Sequence, residues 1–400
     1  MENVWVLASV WVGLALIATL IAIWLKMSTA LSEIVVGTVA QLLIGALFVH
    51  ADLGGKTSWI SFLAGTSAIV LTFLAGAELD PQIFRTKWKE ATVIGLVGFF
   101  GPFFGCAAVA HYILHWTVRS SWLAGVALST TSVAVVYAVM LELGFNVTDF
   151  GKAVLAACFV NDLGTVVALG LIFSPFTIKT LIFVAVSVVV FAILPFLTPR
   201  FFKKYGGRVS ELEAKFLLFL LFAMGGLAVW SGSEAVLPAY IIGMVLAGSV
   251  GKDHILIRRL RTLTFGLLTP FYFIRAGSFV SVPALIAAPL VFTALFFAKM
   301  LSKVIPLFPT VKAFDYQREE GLYFTLMMST GLTFGTISAL FGLNHGVITQ
   351  AQYSYLVATV IGSAVVPTMI ANTWFMPRHL LATKKEEKPT LSQAMSESAN

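Results

Sequence analysis

The chain reads as an all-α polytopic membrane protein, and three observations carry that expectation. It is 58% hydrophobic and 11% charged over 400 residues, where a soluble domain carries about 25% charged residues. Its apolar runs recur near the ~20 residues that a helix needs to cross the hydrocarbon core. The runs are unbroken, which excludes a membrane β-barrel built from alternating segments of about ten residues.

About thirteen such runs follow one another. Their cores are 4–26, 33–48, 59–77, 93–113, 122–142, 152–174, 181–197, 216–230, 236–250, 263–279, 284–308, 322–343 and 353–374. The first reads as a membrane helix and not as a cleaved leader. No basic residue precedes it, it has full length, and no small-residue cleavage pattern follows. Residues 381–400, with Lys384-Lys-Glu-Glu-Lys388, read as a disordered polar tail after a membrane domain at 1–380.

Loop charge supports the count. Lys26, Arg85, Lys87, Lys89, Lys152, Arg200, Lys203, Lys204, Arg208, Lys252, Arg258, Arg259, Arg261, Lys312, Arg318 and the tail fall on one side. Lys56, Arg119 and Lys179 fall on the other. That asymmetry makes the first side cytoplasmic, with the amino end outside and the carboxyl end inside. The net charge of +7 therefore belongs to short loops, and a nucleic-acid partner is not expected. Cys106 and Cys158 lie in apolar runs and fit neither a disulfide scaffold nor a metal cluster. No cofactor is expected.

Split as six, one and six, the runs give two halves of opposite orientation, the arithmetic of an inverted repeat. The fifth run of each half carries a hydroxyl cluster. The first holds Ser129-Thr-Thr-Ser132, the second Ser329-Thr-Gly-Leu-Thr333. Small and hydroxyl residues also serve close helix packing. Their matching places instead suggest paired broken helices around a binding site, where unwound backbone can line a cavity.

Asn161-Asp162 interrupts the sixth run. An Asp at the bilayer centre costs roughly 2.5–3.5 kcal/mol on insertion scales, so it marks a candidate proton or cation site. At helical rise it lies ~15 Å from Lys152, near mid-membrane. Lys299 has a similar depth in the fourth run of the second half, which suggests an Asp162–Lys299 pair that exchanges partners for a proton or a cation. A structural ion pair, or a snorkelling Lys299, is the plainer alternative. Asn161 can offer its carbonyl to a cation or bond a neighbouring helix. Thr130, Thr131, Ser132, Thr330 and Thr333 are candidate oxygen ligands from the crossing runs. Arg275 and Lys303 read as less central, Arg275 as snorkelling or structural. Glu78 reads as interfacial, and His111 and His115 need no ligand role.

These residues together resemble the monovalent cation:proton antiporters. Phe73-Leu-Ala-Gly-Ala-Glu-Leu-Asp80 resembles their Phe-x-x-Gly-x-Glu-Leu element. Ala127–Ala134 resembles the first crossing helix, and Thr330–Thr336 falls where the second belongs. Asn161-Asp162 and Lys299 match the paired site and its facing lysine. The nearest branch holds the NapA-type and Kef-type transporters. The resemblance implies a thirteen-helix NapA/NhaA-like fold. It also implies an ion-carrying core at 93–174 and 284–374, a dimer scaffold at 4–77 and 216–279, and a linker helix at 181–197. A homodimer in a bacterial inner membrane follows from the same resemblance. No glycine-rich fingerprint follows Trp374, so the nucleotide-binding domain of Kef-type members is not expected here.

The function expected is secondary active exchange of Na⁺ or Li⁺ for H⁺ by alternating access at Asp162, without enzyme activity. No phosphate-cradling Gly-Lys-Ser/Thr loop points to ATP. K⁺/H⁺ exchange is the near alternative, because both ions take oxygen ligands. A passive cation channel would call for a selectivity-filter element, which the sequence lacks. A sodium-coupled solute symporter would call for more side-chain donors around the crossing runs.

Overall fold

The apolar runs fold as helices, and the runs carrying hydroxyl clusters fold as broken ones. The computed structural model describes residues 4–25, 28–47, 52–77, 87–145, 148–173, 177–207, 210–251 and 253–380. Glu78 and the tail at 381–400 lie outside the described residues. Among those described, no strand occurs.

The first part of the chain forms α1 (Val4–Leu25), α2 (Thr29–Leu47), α3 (Ser58–Ala77) and α4 (Trp88–Ala108), which ends in a π turn at Val109–Ile113. It continues as α5 (Val118–Ser129), α6 (Val133–Leu143), α7 (Asp149–Phe173) and α8 (Ile178–Tyr205). The second part forms α9 (Leu212–Trp230), α10 (Val236–Leu246), α11 (His254–Leu263), a π turn at Thr264–Leu268 and α12 (Thr269–Ser278). After it come α13 (Val282–Ala287), α14 (Pro289–Lys312), α15 (Arg318–Met328), α16 (Thr333–Asn344) and α17 (Gln350–Trp374).

Ten helical stretches among the described residues are long and apolar enough to cross a membrane. The other three runs expected to span are shorter or interrupted. Run 122–142 is cut between α5 and α6, run 236–250 supplies the short α10, and run 263–279 straddles the π turn before α12. Run 284–308 also differs from expectation. Ala288 leaves helical geometry at φ −138° and Pro289 starts a new helix, because a proline has no N–H to give the preceding turn and suits a first helical position.

Local chemistry sets several helix starts. Thr117 Oγ1 accepts from Ser120 N at 3.2 Å to cap α5. Thr177 with Thr180, and Thr349 with Gln352, form reciprocal capping boxes on α8 and α17. α8 runs through Pro195 and Pro199, more than the expected 181–197, since membrane helices tolerate proline.

The helices pack in two sets. One contains α1–α3 with α9–α12, the other α4–α7 with α14–α17. Within the first set α3 and α10 approach backbone to backbone. A Cβ on Gly76 would collide with the Tyr240 carbonyl, and one on Gly243 with that of Phe73. Close approach of this kind is what small residues provide between membrane helices. α7 and α10 make contact where the two sets meet.

Candidate functional site

The site lies where two broken helices face each other beneath α7 and α14. α5 stops at Ser129, and Thr130 is extended at φ −61°, ψ 148°. α15 stops at Met328, and Leu332 is non-helical at φ −148°, ψ −73°. The breaks are bonded together. Ser132 N donates to Thr330 O at 2.9 Å, and Thr131 Oγ1 to Met328 O at 2.7 Å. Broken helices leave carbonyls at one end and N–H groups at the other without helical partners, so the membrane interior needs local groups to satisfy them.

Asp162 is 1% exposed on α7. Neither carboxylate oxygen has a hydrogen-bond partner among the described residues. Val133, the first residue of α6, has its backbone N–H near the carboxylate. That end of a helix carries partial positive charge. Asn161 is fully buried. Its Oδ1 accepts from Thr131 N at 2.9 Å, and its Nδ2 lies 3.5 Å from Gly95 O. Of the two readings open to Asn161, the helix-bonding one is what this geometry displays.

The expected Asp162–Lys299 ion pair is not closed. Lys299 is fully buried, yet its Nζ has no hydrogen-bond partner among the described residues. The Nζ sits against the second break, where a Cβ on Gly331 would collide with it. Lys303, read from sequence as less central, proves to be fully buried. Its Nζ donates to Ser129 O at 2.8 Å, Thr130 O at 3.1 Å and Thr131 Oγ1 at 2.9 Å. The ammonium thus caps the negative end of α5. Lys299 and Lys303 are four apart on α14 and share a face, which is the signal sequence reasoning had available for Lys303.

The remaining candidates are hydroxyls around the breaks. Thr130 Oγ1 donates to Ala127 O at 3.1 Å. Thr330 Oγ1 donates to Met327 O at 2.8 Å. Ser132 Oγ accepts from Val135 N at 3.4 Å. Each retains lone pairs that a hard cation could use. Thr333 is 7% exposed at the start of α16. Among the described residues no group of three His, Cys, Asp or Glu could hold a metal ion. A site here would rest on one carboxylate and neutral oxygens, a donor set suited to a transported monovalent cation.

Three residues away from the breaks complete the account. Arg275 Nε donates to Gly55 O at 2.7 Å, and its guanidinium lies 5.0 Å from the Phe279 ring. His111 Nδ1 is 3.1 Å from Trp116 O. Glu33 is 1% exposed in α2, and its Oε2 has no partner among the described residues.

The family described as sodium/hydrogen exchanger, transmembrane, matches residues 12–376. The chain belongs to this sodium/hydrogen exchanger family. Within the family's curated relatives, a probable Na⁺/H⁺ antiporter 3 of Methanocaldococcus jannaschii is 23% identical over 82% of this chain and 86% of its own. A Na⁺/H⁺ antiporter of Enterococcus hirae is 24% identical over 83% of this chain and 90% of its own. A glutathione-regulated potassium-efflux protein, KefC, of Shigella flexneri is 24% identical over 82% of this chain, which spans 54% of that longer protein. The chain spans 33% of the cation/H⁺ antiporter 17 of Arabidopsis thaliana. In fold, the chain is similar to the sodium proton antiporter MjNhaP1 of Methanocaldococcus jannaschii, with a TM-score of 0.67 at 18% identity over 94% of this chain and 97% of that one. The exchanger family is one of transporters, and an all-helical membrane architecture is common to this chain and that structure.

Proposed function

We propose that this protein is a secondary active antiporter that exchanges Na⁺ or Li⁺ for H⁺ at Asp162. One observation carries the reading: a carboxylate buried at the meeting of two helix breaks, with neither oxygen hydrogen-bonded among the described residues, while the ammonium of Lys303 is spent on two carbonyls and the Thr131 hydroxyl. A carboxylate in that setting holds a proton or a cation, and the competition between them couples the two fluxes. Thr130, Thr131, Ser132, Thr330 and Thr333 are the proposed oxygen donors around it. Asn161 and Lys303 hold the first break in shape. Lys299 supplies positive charge beside the second.

In this reading 93–174 and 284–374 form the moving core, 4–77 and 216–279 the dimer scaffold, and 181–197 the linker. The amino end lies outside and the carboxyl end in the cytoplasm, as the loop charges favour. The name of the potassium-efflux relative supports K⁺/H⁺ exchange as the second reading.

The test is reconstitution into vesicles with an internal pH dye. Sodium or lithium should dissipate an imposed pH gradient, and Asp162→Asn should abolish the response. A response to potassium alone would select the second reading. Retained exchange in Asp162→Asn would move the site elsewhere. Because proton and cation compete for one carboxylate, apparent cation affinity should weaken as pH falls, and an affinity independent of pH would refute that competition.

A further inference from the structure

Tyr240 ties the two sets of helices together at the ion site. It belongs to α10, in the first set, and is fully buried. Its backbone is fixed against α3, because its carbonyl fills the space that a Cβ on Gly76 would take. Its side chain reaches into the second set. The ring stacks on Phe159 of α7 at 5.1 Å and 25°. It meets Phe334 of α16 edge-on at 5.5 Å and 86°. The hydroxyl donates to Phe159 O at 3.0 Å.

Both contacts adjoin the site. Phe159 precedes Asp162 by three residues, so the two lie on one face of α7. Phe334 is the second residue of α16, just past the second break. Phe159 and Asp162 sit about one turn apart on α7, so the bond to Phe159 O holds the turn that carries the carboxylate. A ring that only filled space would need no hydroxyl; this one places a donor across the seam, on the lone pair of Phe159 O that α7 itself leaves free. Buried tyrosines earn a partner of this kind at the boundary between apolar and polar surroundings.

We infer that Tyr240 is a positioning residue for exchange: its ring covers the approach to Asp162 from α10, and its hydroxyl latches α7 in the arrangement seen here. The inference rests on the antiport reading at Asp162. When α7 moves relative to α10, the bond to Phe159 O breaks and the carboxylate is uncovered. The latch therefore sets how much of the protein holds the site closed. Apparent cation affinity follows that fraction, since only the competent fraction binds.

The experiment uses the full chain in vesicles. Tyr240→Phe keeps the ring and removes one buried hydrogen bond, a change that shifts a two-state population by about fivefold. The apparent KM for sodium should fall by about that factor, with protein yield unchanged. Tyr240→Ala should go further and let protons leak without cation. A second measurement does not depend on transport. With Cys106→Ala and Cys158→Ala in place, Asp162→Cys becomes the sole thiol, and its modification by a membrane-impermeant reagent reports cover over the site. Adding Tyr240→Phe should speed that modification about fivefold. KM and modification rate both within twofold of the Tyr240 protein would overturn the latch. A Tyr240→Phe protein that loses turnover at unchanged KM and unchanged modification rate would show a ring that only packs, and would overturn it too. If Asp162→Asn still exchanges ions, the antiport reading at Asp162 fails, while the thiol measurement still decides the latch.

Discussion

The two helix breaks have the same kind of sequence, and the lysine beside each meets it in opposite ways. At the first, between α5 and α6, Lys303 takes Ser129 O, Thr130 O and Thr131 Oγ1, and Asn161 takes Thr131 N. At the second, between α15 and α16, the ammonium of Lys299 touches Gly331 without a hydrogen bond among the described residues. From outside α15 and α16, the contacts to that break's backbone among the described residues are Ser132 N on Thr330 O at 2.9 Å, Thr131 Oγ1 on Met328 O at 2.7 Å and a long one from Ser363 Oγ to Gly331 O at 3.4 Å. Two of the three come from the first break. The first break is thus a braced element, and the second leans on it. A buried charge without hydrogen bonds is the costly condition, so the second break is where a change of state has the most to gain.

The largest effect should come from the brace. Lys303→Met keeps length but leaves two carbonyls and a hydroxyl without their donor, at about 1–3 kcal/mol for each unsatisfied group. Thermal unfolding in detergent should show a loss of several degrees or failure to accumulate. The matching Lys299→Met removes a buried ammonium without a hydrogen bond among the described residues, and should be neutral or stabilising by about 1 kcal/mol. Equal losses in the two variants would break the contrast.

A smaller effect should follow from crowding the second break. Gly331→Ala drives a Cβ into Lys299 Nζ and against Thr130, an overpacking that costs about 1–3 kcal/mol. Because the obstacle is the far end of a flexible side chain, Lys299→Ala in the same chain should restore part of the loss. Additive losses in the double variant would mean that Gly331 matters for its backbone and not for the lysine.

The smallest effect lies away from both breaks. Glu234 is partly buried in the turn before α10, and burial lifts its carboxyl above the usual glutamate range while His345 at the end of α16 pulls it back. A raised folded value means a contribution to stability that is present below 4.5 and lost as pH climbs through the raised value. Glu234→Gln should therefore raise the melting temperature at neutral and alkaline pH and leave it unchanged below 4.5. A shift of the same size at every pH would assign the effect to packing.

Much of this was legible beforehand. The hydroxyl clusters at Ser129–Ser132 and Ser329–Thr333 marked both breaks, because unwound membrane backbone needs local partners and those residues supply them. Asp162 stood out because an acid in an apolar run is costly. Lys299 was legible as a deep cation, whereas Lys303 read as less central although the four-residue spacing puts both on one face of α14. Tyr240 carried no signal at all, since a tyrosine in an apolar run reads as ordinary core.

The order of residues along the chain was enough to place helices in a membrane, to mark where two of them break and to set the Asp162 carboxylate deep among them. These follow from composition and periodicity, which act along the chain. Packing in three dimensions added that Lys303 braces the first break, that Lys299 stops at Gly331, that neither Asp162 oxygen is hydrogen-bonded among the described residues, and that Tyr240 of α10 reaches Phe159 on α7. Those depend on how helices remote in sequence are rotated and offset in depth against one another, and backbone contacts such as Gly76 on Tyr240 set that offset.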